Sequence, residues 1–302
     1  MKKVVAIIAI VCLLVAFATG CNASKVQEKM VLNIGLMPAV DTAPIFLAQE
    51  KGYFEDHNLE INIEIFTNAQ DRQSALQSGA IDGAMTDLIA LATNVNGGFM
   101  MKATMLTDGM FVILANEATK DKNSVSVGMM EISVSNFLVE QWLGETYEVE
   151  KVFVNAIPAR LEAVATNQLD MGLFPEPIAT VGELKGLEKM TYEPVDGFSP
   201  DVMAFTQTAI DEKSEALKAF NDAYNKAVAD IQADESLARD VIINNIPNVS
   251  EDLKELINLP EYNKARLPSD EYLNKIIDWT NGILETPLTV EASDLIDTQF
   301  LD

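Results

Sequence analysis

Apolar residues recur along this chain with two periods that alternate with each other. Residues 31–36 (VLNIGL) read as a strand, and 44–51 as a helix that stops at Gly52, a usual helix terminator. In 59–66, Ile61, Ile63 and Ile65 alternate with Glu60, Asn62 and Glu64, the period-two pattern of a half-buried strand. A helix over 71–78 ends at Gly79, a short strand follows at 81–85, and a helix at 87–94. The theme then repeats: strands at 125–129, 149–154 and 169–174, helices at 136–143, 160–167 and 178–184. Beyond Asp211 the strand pattern disappears, and long amphipathic runs at 212–246, 251–256 and 270–283 predict a helical C-terminal third. Alternating elements of this kind indicate an α/β fold with mainly parallel sheets.

The two halves echo each other. Arg72, Ala75, Leu76, Ile81, Asp82 and Ala84-Met85 superpose without a gap on Arg160, Ala163, Val164, Leu169, Asp170 and Gly172-Leu173, at a constant offset of 88. Ile34-Gly35-Leu36-Met37 matches Val127-Gly128-Met129-Met130 at an offset of 93. Two echoes in one order favour two related α/β lobes over chance similarity of helix-turn-strand units. Residues 31–112 plus 206–302 are expected to form one lobe and 113–205 the other. The apolar stretches 110–114 and 202–206 sit where the chain must cross between lobes, with the helical tail packing back on the first. Two lobes joined by two crossovers can close on a ligand like a hinge.

The N-terminal end adds a destination. Lys2 and Lys3 precede an uncharged apolar run over 4–18, then Thr19-Gly20: the layout of an export signal, too short to span a bilayer comfortably. Ala18-Thr19-Gly20 fits an ordinary small-residue cleavage site. Ala18-Thr19-Gly20-Cys21 also resembles the bacterial lipobox, with Ala18 where Leu is commonest. Of the two cysteines, Cys12 lies inside the signal, so Cys21 has no intrachain disulfide partner, and a lone cysteine makes no zinc site. Cys21 is therefore read as a lipidation site that ties the protein to a bilayer through an acyl anchor, with 21–30 as a short polar tether. Removing residues 1–20 leaves 282 of the 302 residues and takes the formal charge from −25 to −27, because Lys2 and Lys3 leave with them. That length suits two lobes with sizeable cores. The acidity argues against nucleic-acid binding, which needs a basic footprint, and suits a self-repelling, monomeric surface.

In open α/β sheets ligands bind beyond the carboxyl ends of strands, where helix N-termini present free N–H groups. That rule selects the loops 37–43, 67–70, 86–88, 131–135, 155–158 and 174–177. The candidate ligand-binding residues are Met37, Asp41, Thr42, Asn68, Thr86, Asp87, Ser133, Ser135, Asn155, Phe174 and Glu176. Ser, Thr and Asp at helix starts also serve simply as caps, and Met and Phe fill cores. Arg72 and Arg160, matched across the repeat, stand in a first helical turn where a cation opposes the macrodipole. A surface ion pair is the leading reading for them, a cleft role the other. No metal site, cofactor site or catalytic residue is expected. The single histidine, His57, sits in a polar turn, and no histidine cluster, glycine-rich phosphate loop or activated cysteine occurs. The selected loops carry Asp41, Asp87, Glu131 and Glu176 but no Arg or Lys, which tilts the ligand toward a neutral or amine-bearing heterocycle over an anion.

Residues 34–38 (IGLMP) and 43–55 (APIFLAQEKGYFE), with 77–84 (QSGAIDGA) and 168–177 (QLDMGLFPEP), resemble solute-binding proteins of ATP-binding cassette importers. The similarity is to the sulfonate, nitrate, taurine and thiamine-precursor group, and it covers about residues 31–181. It implies the periplasmic-binding-protein type II fold, a small molecule held between two lobes, and delivery to a membrane permease. It further implies residence on the outer face of a bacterial cell membrane, where the lipid anchor would hold the protein. A pyrimidine-type thiamine precursor is the ligand favoured here, with a sulfonate, taurine or nitrate as the alternative. A pyrimidine-synthesising enzyme on the same fold is the remote one.

Overall fold

The structure, a computed structural model, describes residues 28–247 and 249–301. The export segment, Cys21 and the tether through residue 27 lie outside them. Two five-stranded mixed sheets form the frame. The first holds β1 (Met30–Leu36), β2 (Leu59–Ile65), β3 (Gly83–Asp87), β4 (Met101–Leu106) and β10 (Asp201–Thr206) in the order β2-β1-β3-β10-β4. The second holds β5 (Phe111–Ala115), β6 (Ser124–Met129), β7 (Glu148–Phe153), β8 (Met171–Pro175) and β9 (Glu188–Thr191) in the order β7-β6-β8-β5-β9. In each sheet four strands run in one direction, and the fourth in order, β10 or β5, runs antiparallel to both its neighbours.

The duplication read from sequence extends to individual hydrogen bonds. Gly35 pairs with Ala84 between β1 and β3, and Gly128 pairs with Gly172 between β6 and β8, at the same two offsets. At the foot of the first pair Asn33 N–H donates to Asp82 Oδ2 at 2.8 Å, and Ser126 N–H donates to Asp170 Oδ2 at 3.0 Å in the second. Each aspartate also meets a lysine, Lys213 at 2.8 Å and Lys122 at 2.5 Å. The repeated Asp therefore fastens two parallel strands side by side, so the sequence pattern is a pattern of strand pairing.

The helices connect and cover the sheets. They are α1 (Ala43–Glu50), α2 (Tyr53–Asp56), α3 (Ala69–Ser78) and α4 (Leu88–Asn96), then α5 (Val134–Leu143), α6 (Ile157–Ala165) and α7 (Ile178–Leu184). The C-terminal third adds α8 (Gln207–Glu212), α9 (Ser214–Ala233), α10 (Ser236–Asn245), α11 (Asp270–Ile283) and α12 (Ala292–Leu295). The α9 and α10 helices pack on α1, and α11 packs on α4. One core joins Phe46, Phe54, Phe220 and Tyr224 around β1, with Phe54 stacked on Phe220 at 5.6 Å. A second core runs from Leu88 and Leu273 through Val127 to Phe137 and so spans both sheets.

The structure corrects several boundaries. Strand β10, placed by the sequence reading within the second lobe (113–205), hydrogen-bonds to β3 and β4 in the first sheet. Its counterpart β5 begins at Phe111 in the second. The stretches 110–114 and 202–206 are thus strands reached just after each crossing, not the crossings themselves. Their apolar character comes from burial in mid-sheet. Strands β4 and β9 are additional to the expected elements: β4 does alternate, with apolar Met101, Ala103 and Met105 between polar Lys102 and Thr104, whereas β9 (EKMT) is too short to show a period. The expected run 212–246 breaks after Glu212 and again at Asp234, and 251–256 yields only a single 3-10 turn, Glu251–Leu253.

Candidate functional site

A cavity of about 160 Å³ lies between the two sheets, lined from the first by Met37, Asp41, Asn68, Arg72, Thr86, Asp87 and Asp201. Ile132, Ser133, Ser135, Asn155, Arg160 and Leu173 line it from the second, with Phe111 at the root of the crossing strand. Its volume falls below the roughly 300–1,000 Å³ typical of drug-sized sites, so a compact solute fits.

Local sequence explains how each wall is built. After β1 the chain turns through a 3-10 turn, Val40–Thr42, into α1, which opens with Ala43-Pro44. Proline is favoured at the first helical turn because its missing N–H would be unpaired there. Asp41 in that turn is 2% exposed, and its Oδ2 accepts from the Thr107 hydroxyl of the first crossing at 2.8 Å. Its Oδ1 has no hydrogen-bond partner. Burial pushes the Asp41 carboxyl up to about 6, the Thr107 bond opposing. Asp87 ends β3 and caps α4 by accepting from Ala90 N–H at 2.8 Å. Burial raises its carboxyl; the Ala90 N–H, Arg72, and the N–H groups of Ile89 and Val134 pull the other way. Val134 opens α5 on the opposite wall, so Asp87 spans the cleft. Asp201 starts β10 directly across the ladder from Asp87, and burial with the nearby Asp41 and Asp87 charges holds it well above the usual carboxylate range.

The arginines overturn the expected surface ion pairs. Each is the fourth residue of its helix, α3 or α6, and each is buried: Arg72 is 7% exposed and Arg160 2%. Arg72 Nη2 donates to Thr86 Oγ1 at 3.1 Å, while its Nε has no partner. Arg160 is committed to its own sheet, donating from Nε to Leu173 O at 3.1 Å and from Nη1 to Val154 O at 2.8 Å, with its guanidinium 5.2 Å from the Phe174 ring centre. Burial lowers both, Arg160 to about 10. The stem of Arg160 runs over Gly128, where any Cβ would stand 2.9 Å from its Cγ.

Most of the remaining candidates divide between capping and lining. Asn68 caps α3 by accepting from Asp71 N–H at 2.8 Å, and lines the cavity. Ser133 and Ser135 also line it, but their hydroxyls bond each other at 2.7 Å, and Ser135 Oγ accepts from Met130 N–H at 2.8 Å. Asn155 is exposed at the rim. Three candidates stand behind the lining. The buried Thr42 donates its hydroxyl to Ala39 O at 2.6 Å. Phe174 is core beneath Arg160. Glu176, 0% exposed, pairs with Lys189 at 2.6 Å and accepts from the Thr180 hydroxyl at 2.8 Å. The backbone of Glu176 also bridges the lobes, its carbonyl accepting from Val40 N–H at 3.2 Å, beside Asp41.

Sequence reasoning missed Asp201 and Phe111 for a topological reason. They begin antiparallel strands, whose amino ends lie at the carboxyl ends of the parallel ones. A wider cavity of about 690 Å³ opens on the hinge side, between the two crossings and residues 255–266. Its buried carboxylate, Asp108, is already paired with Arg266 at 2.7 Å and with Asn263 N–H at 2.8 Å. Among the described residues no group of three or more His, Cys, Asp or Glu is placed to hold a metal ion, and no helix is long and apolar enough to cross a membrane.

The architecture has solved relatives. The ligand-binding component of an ABC-type import system from Staphylococcus aureus, with zinc bound, aligns with a TM-score of 0.74 at 18% identity over 90% of this chain and 97% of its own. The periplasmic aliphatic sulphonate binding protein SsuA from Escherichia coli aligns with a TM-score of 0.69 at 12% identity over 89% and 92%. These likenesses establish the periplasmic-binding-protein fold. In sequence, the nitrate import ATP-binding protein NrtC of Synechocystis is 30% identical over 104 residues, 34% of this chain but only 16% of that protein. Residues 25–243, well over half of the chain, match the family model described as NMT1-like, and the protein belongs to the NMT1-like family.

Proposed function

We propose that this protein is the extracytoplasmic solute-binding subunit of an ATP-binding cassette importer, held at the outer face of the membrane by lipid on Cys21. It would capture one small molecule between its two lobes and hand it to the permease. The observation that carries the reading is the cavity itself: strand-to-helix loops of two equivalent sheets face each other across it, with two crossings behind them. Opening about those crossings would admit the solute, and closure would shut it from water between Asp41 and Asp87 on one wall and Ser133 and Ser135 on the other. The cavity lining contains no histidine or cysteine, and its buried groups form no nucleophile–base pair, which favours binding over catalysis.

A pyrimidine-type thiamine precursor suits the compact volume and the mixed apolar and acidic lining. A sulfonate, taurine or nitrate is the second reading, favoured by Arg72 and Arg160 on the lining and by the named specificities of the similar proteins. A thermal-shift screen of pyrimidines, sulfonates, nitrate and amino acids on the processed chain tests the role. Saturable stabilisation by one class is the expected result, and stabilisation by none would refute solute capture.

A further inference from the structure

The cavity has a charge problem that its own residues leave unsolved. Three carboxylates line it, Asp41, Asp87 and Asp201, all carried by the first sheet or the turn that leaves it. Two guanidiniums line it as well, but two nitrogens of Arg160 are spent on backbone carbonyls of the second sheet. Among the described residues, none of these five groups takes part in an ion pair within 4.0 Å; every close ion pair lies elsewhere. Arg160 keeps its positive charge, so two guanidiniums stand against three acidic groups, a formal surplus of one carboxylate. Two polar atoms of buried lining residues remain unpartnered, the acceptor Oδ1 of Asp41 and the donor Nε of Arg72. Unpaired charge shielded from water is costly, and breaking such sites in natural proteins is strongly destabilising unless something else supplies the partner.

Resting on the solute-binding reading above, we infer that the solute is a small organic cation. Its protonated amine faces Asp41 and Asp201, and a hydrogen-bond acceptor of the same molecule faces Arg72. A cation offsets the surplus carboxylate, and an anion would add to it. Asp41 and Arg72 each keep unspent hydrogen-bonding capacity at the lining, which a donor and an acceptor on one compact body would use. Met37, Met85, Ile132 and Leu173 supply the surface for its hydrocarbon part. An organic ammonium ion also fits better than a bare metal ion, because the carboxylates do not converge as ligands would.

The site then responds to pH through Asp41. The groups around it are Asp201 on β10, Asp108 and Thr107 in the first crossing, and Tyr224 and Tyr262 from the C-terminal region, with Asp87 on β3 and Arg72 on α3 acting on Asp201 behind it. With the Asp41 carboxyl raised to about 6, it is mostly ionised near pH 7.5 and mostly neutral near pH 5. If amine binding needs the ionised form, linkage weakens the affinity by about tenfold between those two values.

Matched probes on the unaltered, processed chain decide the question. Calorimetry near pH 7.5 and pH 5 would compare propylamine, 1-propanol and propane-1-sulfonate. It would also compare 4-amino-2-methylpyrimidines bearing aminomethyl, hydroxymethyl or sulfomethyl at position 5. Within at least one skeleton the amine should bind ten times tighter or more than its hydroxyl and sulfonate counterparts, and lose about tenfold at the lower pH. Asp41→Asn and, separately, Asp201→Asn should remove most of the amine's advantage. A sulfonate or alcohol that binds better than its amine overturns the cation and leaves solute capture standing. Equal binding at both pH values overturns the role of Asp41. No binding in either skeleton, together with no stabilisation in the wider screen, overturns both readings.

Discussion

Asp41 shows how one residue can be legible in sequence and still need the fold to give it meaning. A polar residue ahead of Pro44 marks a helix entry. Only the packed structure places Thr107, 66 residues away, on one carboxylate oxygen and nothing on the other. Its carboxyl, raised from 3.8 to about 6, binds a proton in the folded state that the unfolded chain has already lost. Its favourable contribution is therefore present below about pH 4 and disappears as pH rises through 6, a difference on the order of 3 kcal/mol. Asp41→Asn should raise the ligand-free protein's stability near neutral pH by up to that amount, and flatten the decline between pH 4 and 6. Urea midpoints across the range check this, and a variant as pH-sensitive as the parent would contradict it. Arg72 and Arg160 show the opposite failure. Each stands four residues before a buried apolar residue, Leu76 or Val164, so the helical period already puts it on the inward face; what the fold adds is the depth its long stem reaches among the strands.

At the scale of elements, most strands and helices followed from periodicity and punctuation. The exceptions have a shared cause. Strands β4, β5, β9 and β10 are the last two of each sheet in spatial order, where chain crossings set the strand ends; β9 is too short for a period, while the alternation of Met101, Ala103 and Met105 in β4 is a signal the sequence did carry. The repeat survived because it encodes contacts: Gly35 and Gly128 leave room for Ile81 and Leu169, the matched residues that precede the repeated aspartates. Gly128→Ala would set a Cβ 2.8 Å from Leu169 and 2.9 Å from the Arg160 stem. Overpacking of this kind costs about 1–3 kcal/mol. A lower urea midpoint is expected, and an unchanged one would show that the Arg160 stem yields freely.

For the whole molecule, two equivalent sheets meet at a cleft, and Glu176 of the second reaches Val40 of the first beside Asp41. The ligand proposed at Asp41 and the proposed approach of the lobes would thereby act on one short stretch of chain. The proposed anchor acts at the same scale. Cys21→Ala should move the protein from the membrane fraction to the soluble extracytoplasmic fraction while leaving the cleft's binding unchanged. Retention in the membrane fraction would point to an uncleaved apolar segment instead.

The linear sequence by itself determined the alternating α/β class, the duplication, the helical last third and the loops that reach the cleft. These rest on local periodicity, helix ends and repeated spacing, which are written in neighbouring residues. Only the tertiary structure decided that β10 returns to the first sheet, that Asp201 joins Asp41 and Asp87, and that two arginines are buried behind the loops. Each of those outcomes depends on antiparallel pairing or side-chain reach between residues far apart in the chain. The charge balance of the cleft, and with it the kind of solute it favours, is a property of that assembly.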